Sequence, residues 1–312
     1  MKVSVIIPLL NEVENLRPLH ARLVAVLDKL NVERELIFVD DGSTDGSFAV
    51  IEELAATDRT VIGLSFSRNF GHEPASTAGL DACTGDVAVL MDADLQDPPE
   101  LIEQMLELWR AGNRIVYATR RHRAGESTFK RLTSWSFYRL LNAFSEVDIP
   151  MDTGDFRLVD RRVLEALRAC RETDRFVRGL VAWTGFKSVP LLYDRPARHS
   201  GETKYRPLKL LLLSLDAIVG FSITPLRVAT IIGMGVCAFS LVLVLTIIGQ
   251  RIFGHRFDLQ GYALLAGGLF FLGGSQMLLL GVIGEYIGRI YRRNQDRPLY
   301  LIDRSVGTKD GG

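Results

Sequence analysis

The chain contains little cysteine and has no overall charge. Three of its 312 residues are cysteines, Cys83, Cys170 and Cys237, and their wide spacing predicts neither a disulfide framework nor a thiolate metal site. The 37 basic and 37 acidic residues cancel. No charged amino-terminal region precedes a short apolar run, so the sequence predicts no cleavable signal. Without repeats or low-complexity linkers, the first 200 residues or so are expected to form one α/β domain.

Charge is also missing from two long stretches near the end of the chain. Residues 228–249 and 261–284 comprise 22 and 24 residues without a charged side chain. A bilayer core needs about 20 apolar residues to be crossed by a helix, and helices of a soluble core seldom stay uncharged for so long. Since only residues 250–260 separate them, the two stretches predict a transmembrane hairpin.

Arginines at the flanks predict the orientation of this hairpin. Arg227 precedes the first stretch and Arg289, Arg292, Arg293 and Arg297 follow the second, whereas the connection carries Arg251 and Arg256. Because positive residues favour the inner face, both termini are expected in the cytoplasm. Residues 207–226 are apolar but include Lys209 and Asp216, which favours interfacial helices over a third span.

Strand and helix patterns alternate in the first part of the chain. Strands are predicted at residues 2–8, 35–39, 60–65, 86–91 and 114–118, and helices at 11–30, 45–56, 74–83 and 101–111. Short connections between them predict an α/β fold with a mainly parallel sheet and helices on both faces. A ligand crevice is then expected at the carboxyl ends of the strands.

Two acidic motifs each follow a predicted strand, VDDGSTD at residues 39–45 and DADLQDPPE at residues 92–100. Asp41 in the first motif can accept a hydrogen bond from an N–H of a nucleotide base. In an extended chain, Asp94 and Gln96 would project to the same side and offer oxygen ligands to Mg²⁺ or Mn²⁺. An ordinary turn after a strand has the same pattern, but the Pro-Pro helix start that follows favours metal binding.

Six ordered motifs carry a resemblance to a known family: PLLNE at residues 8–12, VDDGSTD at 39–45, SRNFGH at 67–72, DADLQDPPE at 92–100, TGDFRL at 153–158 and HSGETKY at 199–205. The chain resembles family 2 glycosyltransferases of the polyprenyl-phosphate branch. It is most similar to bacterial bactoprenol (undecaprenyl-phosphate) glucosyltransferases, and more distantly to dolichol-phosphate mannose synthase. The resemblance covers nearly the whole chain, including the predicted hairpin.

The resemblance implies a domain plan and an activity. A GT-A (Rossmann-like) catalytic domain would occupy residues 1–205, followed by juxtamembrane helices at 206–226, the hairpin at 227–290 and a cytoplasmic tail at 291–312. The implied reaction is an inverting, metal-dependent transfer of a hexose, with glucose and UDP favoured, to undecaprenyl phosphate at the cytoplasmic face of the bacterial inner membrane. A homo-oligomer, with a tetramer favoured, and a separate flippase are implied as well.

The resemblance also assigns site residues by their position in the matching motifs. Nucleotide-sugar contacts fall on Pro8, Asn11, Glu12, Asp40, Asp41, Asp92, Arg198 and Lys204, the last two in a loop that closes over the diphosphate. Metal ligands fall on Asp92, Asp94 and Gln96, with Mg²⁺ or Mn²⁺ as the cofactor. Asp155 falls in the segment that approaches the sugar and the acceptor phosphate. His72 receives no role.

A lipid phosphate acceptor needs nearby positive charge more than it needs a strong base. A lipid phosphate has its second pKa near 6, so it is already an oxyanion at neutral pH. Arg120, Arg131 and Ser134 can supply donors to it, although Arg131 can equally be a solvated or headgroup-anchoring residue. Asp155 can act as a base, orient the acceptor or only cap a turn.

Several alternatives remain open at the level of sequence. The donor can be another sugar, such as mannose from GDP-mannose or an amino sugar, because a carboxylate accepts from uracil and guanine alike. A processive polysaccharide synthase is less favoured, because it usually needs more spans and a QxxRW-like motif. A membrane-tethered sugar-nucleotide binding protein would not need Asp155 or the basic loop. The basic clusters beside the hairpin favour lipid headgroup and pyrophosphate over nucleic acid as partners.

Overall fold

The structure is a computed structural model. It describes residues 1–120, 153–172, 175–193, 261–295 and 297–307, together with eleven residues between 230 and 246. The described residues fall into two compact units. The first comprises the residues up to 193 together with 297–307, and the second comprises those between 230 and 295.

The first unit alternates strands and helices, as predicted. Its strands are β1 (Lys2–Leu9), β2 (Glu33–Asp40), β3 (Val61–Phe66), β4 (Val87–Leu90), β5 (Ile115–Arg120), β6 (Thr153–Asp160), β7 (Ser188–Tyr193) and β8 (Ile302–Val306). Its helices are α1 (Val13–Lys29), α2 (Ser47–Thr57), α3 (His72–Ala82), α4 (Leu101–Arg110), α5 (Arg161–Ala169) and α6 (Val177–Trp183). The predicted elements up to residue 118 agree with these to within about three residues at each end.

The eight strands form one sheet in the order β7-β5-β6-β4-β1-β2-β3-β8. The central strands β4, β1, β2 and β3 are parallel, as is the pair β5 and β7. Only β6 and β8 run against their neighbours. The prediction of a mainly parallel sheet is therefore confirmed.

The strands carry apolar side chains on both faces, which explains why helices cover both faces of the sheet. Val5 and Ile7 of β1 belong to one buried cluster, which includes α1 residues such as Leu19, while Ile6 belongs to a second cluster with α3. Successive side chains of a strand point to opposite faces, so an all-apolar strand needs cover on both. Helix α3 packs so closely on β1 that a Cβ at Gly79 would come within 2.2 Å of the Ile6 side chain.

The register of β6 against β4 brings a late segment of the chain to the ligand edge. Leu90 pairs with Arg157 in this antiparallel ladder. Continuing the register by two residues places Asp92, just past the end of β4, opposite Asp155 in β6. Residues that are far apart in sequence therefore meet at the carboxyl end of β4.

Part of the expected tail, residues 291–312, belongs to the sheet. Strand β8 pairs antiparallel with β3 and forms the edge of the sheet. Just before β8, Tyr300 stacks on Phe66 with ring centroids 5.1 Å apart and donates a hydrogen bond to Asp81 Oδ2 at 2.9 Å. No feature of the sequence analysis predicted this strand.

Among its described residues, the second unit includes a long helix, α7 (Gly261–Asn294). Its segment Phe271–Gly288 is long and apolar enough to cross a membrane, and large side chains along it, such as Phe271 and Met277, are exposed. The described residues of the first predicted span, 228–249, are helical. The two-helix hairpin stays a prediction, and residues 206–226 lie outside the described part of the chain.

Candidate active site

A cavity of about 310 Å³ opens at the carboxyl ends of β1, β2 and β4. Its lining comes from four neighbouring loops and helix starts: Pro8, Leu9, Leu10, Glu12, Asp41, Asn69, Gly71, His72, Ala75, Asp92, Ala93 and Asp94. This is the edge at which an open α/β sheet binds its ligands. Of the predicted site residues, Pro8, Glu12, Asp41, Asp92 and Asp94 are therefore brought together.

Asn11 and Asp40 hold the loops behind this lining. The Asn11 side chain, on a left-handed residue with φ of 58°, accepts a hydrogen bond from Thr44 N at 2.8 Å. Asp40 is buried and accepts hydrogen bonds from Ser43 N at 2.9 Å and Ser65 Oγ at 3.0 Å. Both residues fix the shape of the site, and neither is among the described residues that line the cavity.

Asp41 is buried and fastens the loop after β3 to the cavity wall. Its Oδ1 accepts a hydrogen bond from Phe70 N at 2.7 Å and its Oδ2 accepts one from Gly71 N at 2.9 Å. Burial raises the pKa of Asp41, these bonds lower it, and the net shift is upward. Gly42, with φ of 75°, lets the loops meet, because a Cβ there would lie 2.7 Å from the Arg68 carbonyl carbon.

The acidic motif after β4 differs from its expected shape. Leu95 is left-handed, with φ of 60°, and Gln96 N donates to Asp94 Oδ1 at 3.1 Å. The expectation of an extended chain from Asp94 to Gln96 is therefore wrong, since the backbone turns between them. Gln96 is buried and, within the described chain, lies outside the lining. A non-glycine residue in this conformation stores strain, which is common at functional sites.

Two further carboxyls of this motif have raised pKa values. Burial, with the negative charges of Asp155 and Asp94, raises the pKa of Asp92 to about 6 against the opposing charge of His72. Burial and the charge of Asp92 raise the pKa of Asp97 to about 7. Asp97 accepts a hydrogen bond from the Tyr193 hydroxyl at 3.2 Å, which ties the motif to the end of β7.

Asp155 is an anion held in place by two arginines. Its Oδ1 accepts from Arg157 Nη2 at 2.9 Å and from Arg178 Nη2 at 3.2 Å. Burial raises the pKa of Asp155, but the bond to His72 and the two guanidinium charges outweigh it and hold this pKa well below its usual range. A carboxylate of this kind is a poor proton acceptor, so its use as a base is disfavoured.

His72 completes a cluster with two of these carboxylates. Its Nε2 lies 3.4 Å from Asp155 Oδ2 and 3.9 Å from Asp92 Oδ1. The bond to Asp155 raises the pKa of His72, as does the charge of Asp92, while burial opposes them. The three ligand atoms lie within 4.8 Å of one another. Carboxylate oxygen and imidazole nitrogen are both donors for divalent metals, so this set fits a cation.

Other predicted site residues lie beyond what the structure describes. Arg131, Ser134, Arg198 and Lys204 fall outside the described residues. Arg120 is the last residue of β5 and pairs with Tyr193 in β7, but its side chain is not among those described.

Sequence reasoning missed four residues of the site, His72, Asp97, Arg157 and Arg178. Arg157 had a usable signal, because it stands two residues after Asp155 in a strand and so shares its face. Asp97 lies within the acidic motif. Arg178 ends a basic stretch of the sequence, residues 157–178, but nothing in the sequence placed it beside Asp155, because it comes from helix α6, beyond the last helix or strand predicted in this domain.

Comparisons with known proteins give the family. Residues 4–168 match the family model described as glycosyl transferase family 2. The chain is 43% identical over 310 residues to the uncharacterized glycosyltransferase YkcC of Bacillus subtilis (strain 168), covering 99% of this chain and 96% of that one. It is 41% identical over 304 residues to the bactoprenol glucosyl transferase of Shigella phage SfX, covering 97% and 99%.

Among solved structures, the chain is similar to glucosyl-3-phosphoglycerate synthase from Mycobacterium tuberculosis, crystallised with Mn²⁺, UDP and phosphoglyceric acid. That likeness has 22% identity and a TM-score of 0.47, and covers 70% of this chain and 76% of the other. The family match and the mostly parallel sheet identify the first unit as a GT-A, Rossmann-like α/β domain. This protein is a glycosyltransferase, and its chain belongs to glycosyl transferase family 2.

Proposed function

We propose that the protein transfers a hexose, with glucose favoured, from a UDP sugar to a polyprenyl phosphate such as undecaprenyl phosphate. The observation that carries this is the 41% identity, over almost the full length of both chains, to a protein named bactoprenol glucosyl transferase. Because that likeness includes the apolar C-terminal region, it extends to the part of the chain that would meet a lipid.

The lining of the cavity supports a nucleotide-sugar donor. Pro8, Glu12 and Asp41 contact the nucleoside in this proposal, while Asp92 and Asp94 lie beside the diphosphate. All five residues line the same cavity of about 310 Å³, within the range usual for small-molecule sites. The predicted roles of Arg198 and Lys204 in closing over the diphosphate are part of the proposal.

A divalent cation, Mg²⁺ or Mn²⁺, belongs to this proposal. Asp92 and Asp94, which both line the cavity, would hold it. When bound, the ion supplies Lewis-acid stabilisation of the charge on the departing diphosphate.

The acceptor phosphate needs no base in this reaction. Its oxyanion attacks the anomeric carbon of the sugar, a new C–O bond forms, the bond to the diphosphate breaks, and UDP leaves with the electron pair. A single displacement inverts the anomeric configuration. Asp155, anchored by Arg157 and Arg178, stays anionic and orients the reacting groups, while Arg120, Arg131 and Ser134 provide donors to the acceptor phosphate.

The pairing of β8 with β3 supports the proposed membrane topology. Strand β8 follows α7 in the chain, yet it pairs with β3. The segments before and after the apolar region must therefore lie on the same side of any membrane, which requires an even number of crossings. A two-span hairpin at residues 228–249 and 261–284 meets this condition, with the catalytic domain at the cytoplasmic face of the inner membrane.

Two partners follow from the proposal. One hairpin per chain offers no obvious polar pathway, so a separate flippase would move the glycosylated lipid across the membrane. Pairs of glycines in the spans, such as Gly273 and Gly274, would permit close helix approach in a homo-oligomer or within the hairpin itself.

A transfer assay with purified protein tests this function. Radiolabelled UDP-glucose, GDP-mannose and a UDP amino sugar would each be offered with undecaprenyl phosphate, and organic-extractable label would be counted. The proposal expects label in the lipid from UDP-glucose, lost on chelation and restored by Mg²⁺ or Mn²⁺. Label from another donor alone would replace glucose with that sugar. Release of free sugar without labelled lipid would overturn the lipid acceptor.

A further inference from the structure

His72 is placed at the site by a rigid element. It is the first residue of α3, the helix that rests on β1 through the close contact of Gly79 with Ile6. Ala75 and Ala78 of the same helix are fully buried in the core. Because this helix is packed into the core, the backbone of His72 has a fixed position, as a metal ligand or other positioned side chain requires.

The carboxylate beside His72 is also fixed. Arg157 and Arg178 both bind Asp155 Oδ1, and Arg157 is buried. This leaves Asp155 Oδ2 as the atom nearest to the imidazole, at 3.4 Å from His72 Nε2. The Asp155 carboxylate is therefore directed at His72 by its neighbours.

The two distances from His72 to the carboxylates are compatible with ligands of one metal ion. An octahedral ion with ligands at about 2.1 Å separates them by about 3 Å when adjacent and about 4.2 Å when opposite. The distances from His72 Nε2 to Asp155 Oδ2, 3.4 Å, and to Asp92 Oδ1, 3.9 Å, fall within this span. Asp92 is also the first residue of the acidic motif that lines the cavity.

We propose that His72 is a ligand of the divalent cation through Nε2, beside Asp92 and Asp155, and that it makes the site prefer Mn²⁺ to Mg²⁺. This inference rests on the proposed function and adds the nitrogen of His72 and a carboxylate oxygen of Asp155 to its metal site. Mg²⁺ is held by oxygen ligands and usually keeps several waters. Mn²⁺ also favours oxygen, but it accepts an imidazole nitrogen more readily than Mg²⁺ does. Replacing the nitrogen with an oxygen should therefore weaken Mn²⁺ binding more than Mg²⁺ binding.

Pulsed electron paramagnetic resonance of bound Mn²⁺ tests the ligand directly. The full-length protein would be loaded with Mn²⁺ in the presence of UDP, and the spectrum examined for coupling to a ¹⁴N nucleus. We expect this coupling in the wild type, its replacement by ¹⁵N coupling when the histidines are labelled with ¹⁵N, and its loss in His72→Gln. The labelling experiment needs no substitution, so it does not depend on the folding of a variant.

Metal titrations supply the second readout and a matched control. His72→Gln should weaken Mn²⁺ binding about tenfold or more, with a smaller change for Mg²⁺. His20→Gln alters a histidine of α1 whose Nε2 lies 3.0 Å from Asp58 Oδ2, away from the cavity lining. This control should keep both the ¹⁴N coupling and the wild-type affinity for Mn²⁺.

The outcomes separate this inference from the function on which it rests. Bound Mn²⁺ without nitrogen coupling in the wild type, or coupling that persists in His72→Gln, overturns the role of His72 and leaves metal-dependent transfer intact. A wild-type protein that binds no Mn²⁺ with UDP overturns both the ligand and the metal site of the proposed function.

Discussion

At the scale of single residues, the proposed metal site depends on Asp94. Asp94→Asn keeps the size of the side chain but removes a negative oxygen ligand, so transfer should fall at least about a hundredfold. The measurement is the initial rate of lipid glycosylation at saturating Mn²⁺. Asp303→Asn changes an exposed aspartate of β8 and should keep its activity. Near-normal turnover of Asp94→Asn would remove Asp94 from the metal site.

Glu35 stabilises the fold near the amino ends of the strands, at the opposite end of the sheet from the cavity. It is buried and accepts hydrogen bonds from Lys2 Nζ at 2.7 Å, Ser4 Oγ at 2.5 Å and Thr84 N at 2.8 Å. Burial raises the pKa of Glu35, but these bonds outweigh it and lower the pKa below 4.5. Its stabilising effect is therefore complete above pH 4.5 and is lost as the pH falls through the lowered value.

Glu35→Gln should reduce the free energy of unfolding by about 2 kcal/mol at neutral pH, because it breaks a buried charge-assisted network. The difference from the wild type should shrink in acid. Unfolding of the purified protein over a pH series measures this, with the exposed Glu33→Gln as the control. A difference that grows as the pH falls would contradict the assignment.

At the scale of secondary-structure elements, strand β8 connects the C-terminal segment to the wall of the cavity. Tyr300 stacks on Phe66, and Phe66 directly precedes the loop whose Phe70 and Gly71 N–H groups bind Asp41. Tyr300→Ala should lower the free energy of unfolding by about 2 kcal/mol and weaken UDP binding. Tyr300→Phe loses only the hydrogen bond to Asp81 and should cost about 1 kcal/mol.

Calorimetric titration with UDP measures the effect of Tyr300 on the cavity. Unchanged UDP affinity in Tyr300→Ala, together with a lowered stability, would show that the tail supports the sheet without shaping the nucleotide site.

Local patterns account for what the sequence could predict. β1 to β5 and α1 to α4 are consecutive apolar or amphipathic segments, so their order and the ligand edge could be predicted from the chain alone. β8 could not, because it is a short, exposed strand that forms only by pairing with β3. Likewise the approach of Arg178 to Asp155 depends on a tertiary contact that leaves no local signal.

At the scale of the whole molecule, the pairing of β8 with β3 constrains the membrane topology. Since β8 and β3 share a sheet, a cysteine in β8 must lie on the same side as the catalytic domain. In a protein whose three native cysteines are replaced, Ser305→Cys should resist an impermeant thiol reagent added to intact cells, and Asp258→Cys should react. Reaction at residue 305 with protection at residue 258 would place the domain away from cytosolic nucleotide sugars.

The most direct measurement of the proposed function follows the phosphate of the acceptor during turnover. Phosphorus-31 nuclear magnetic resonance distinguishes the monoester of undecaprenyl phosphate from a phosphodiester. With UDP-glucose and the purified protein, we expect the monoester signal to be replaced by a diester signal, with one UDP formed per diester and a β-linked sugar on the lipid. Accumulation of UDP while the monoester signal stays unchanged would contradict it.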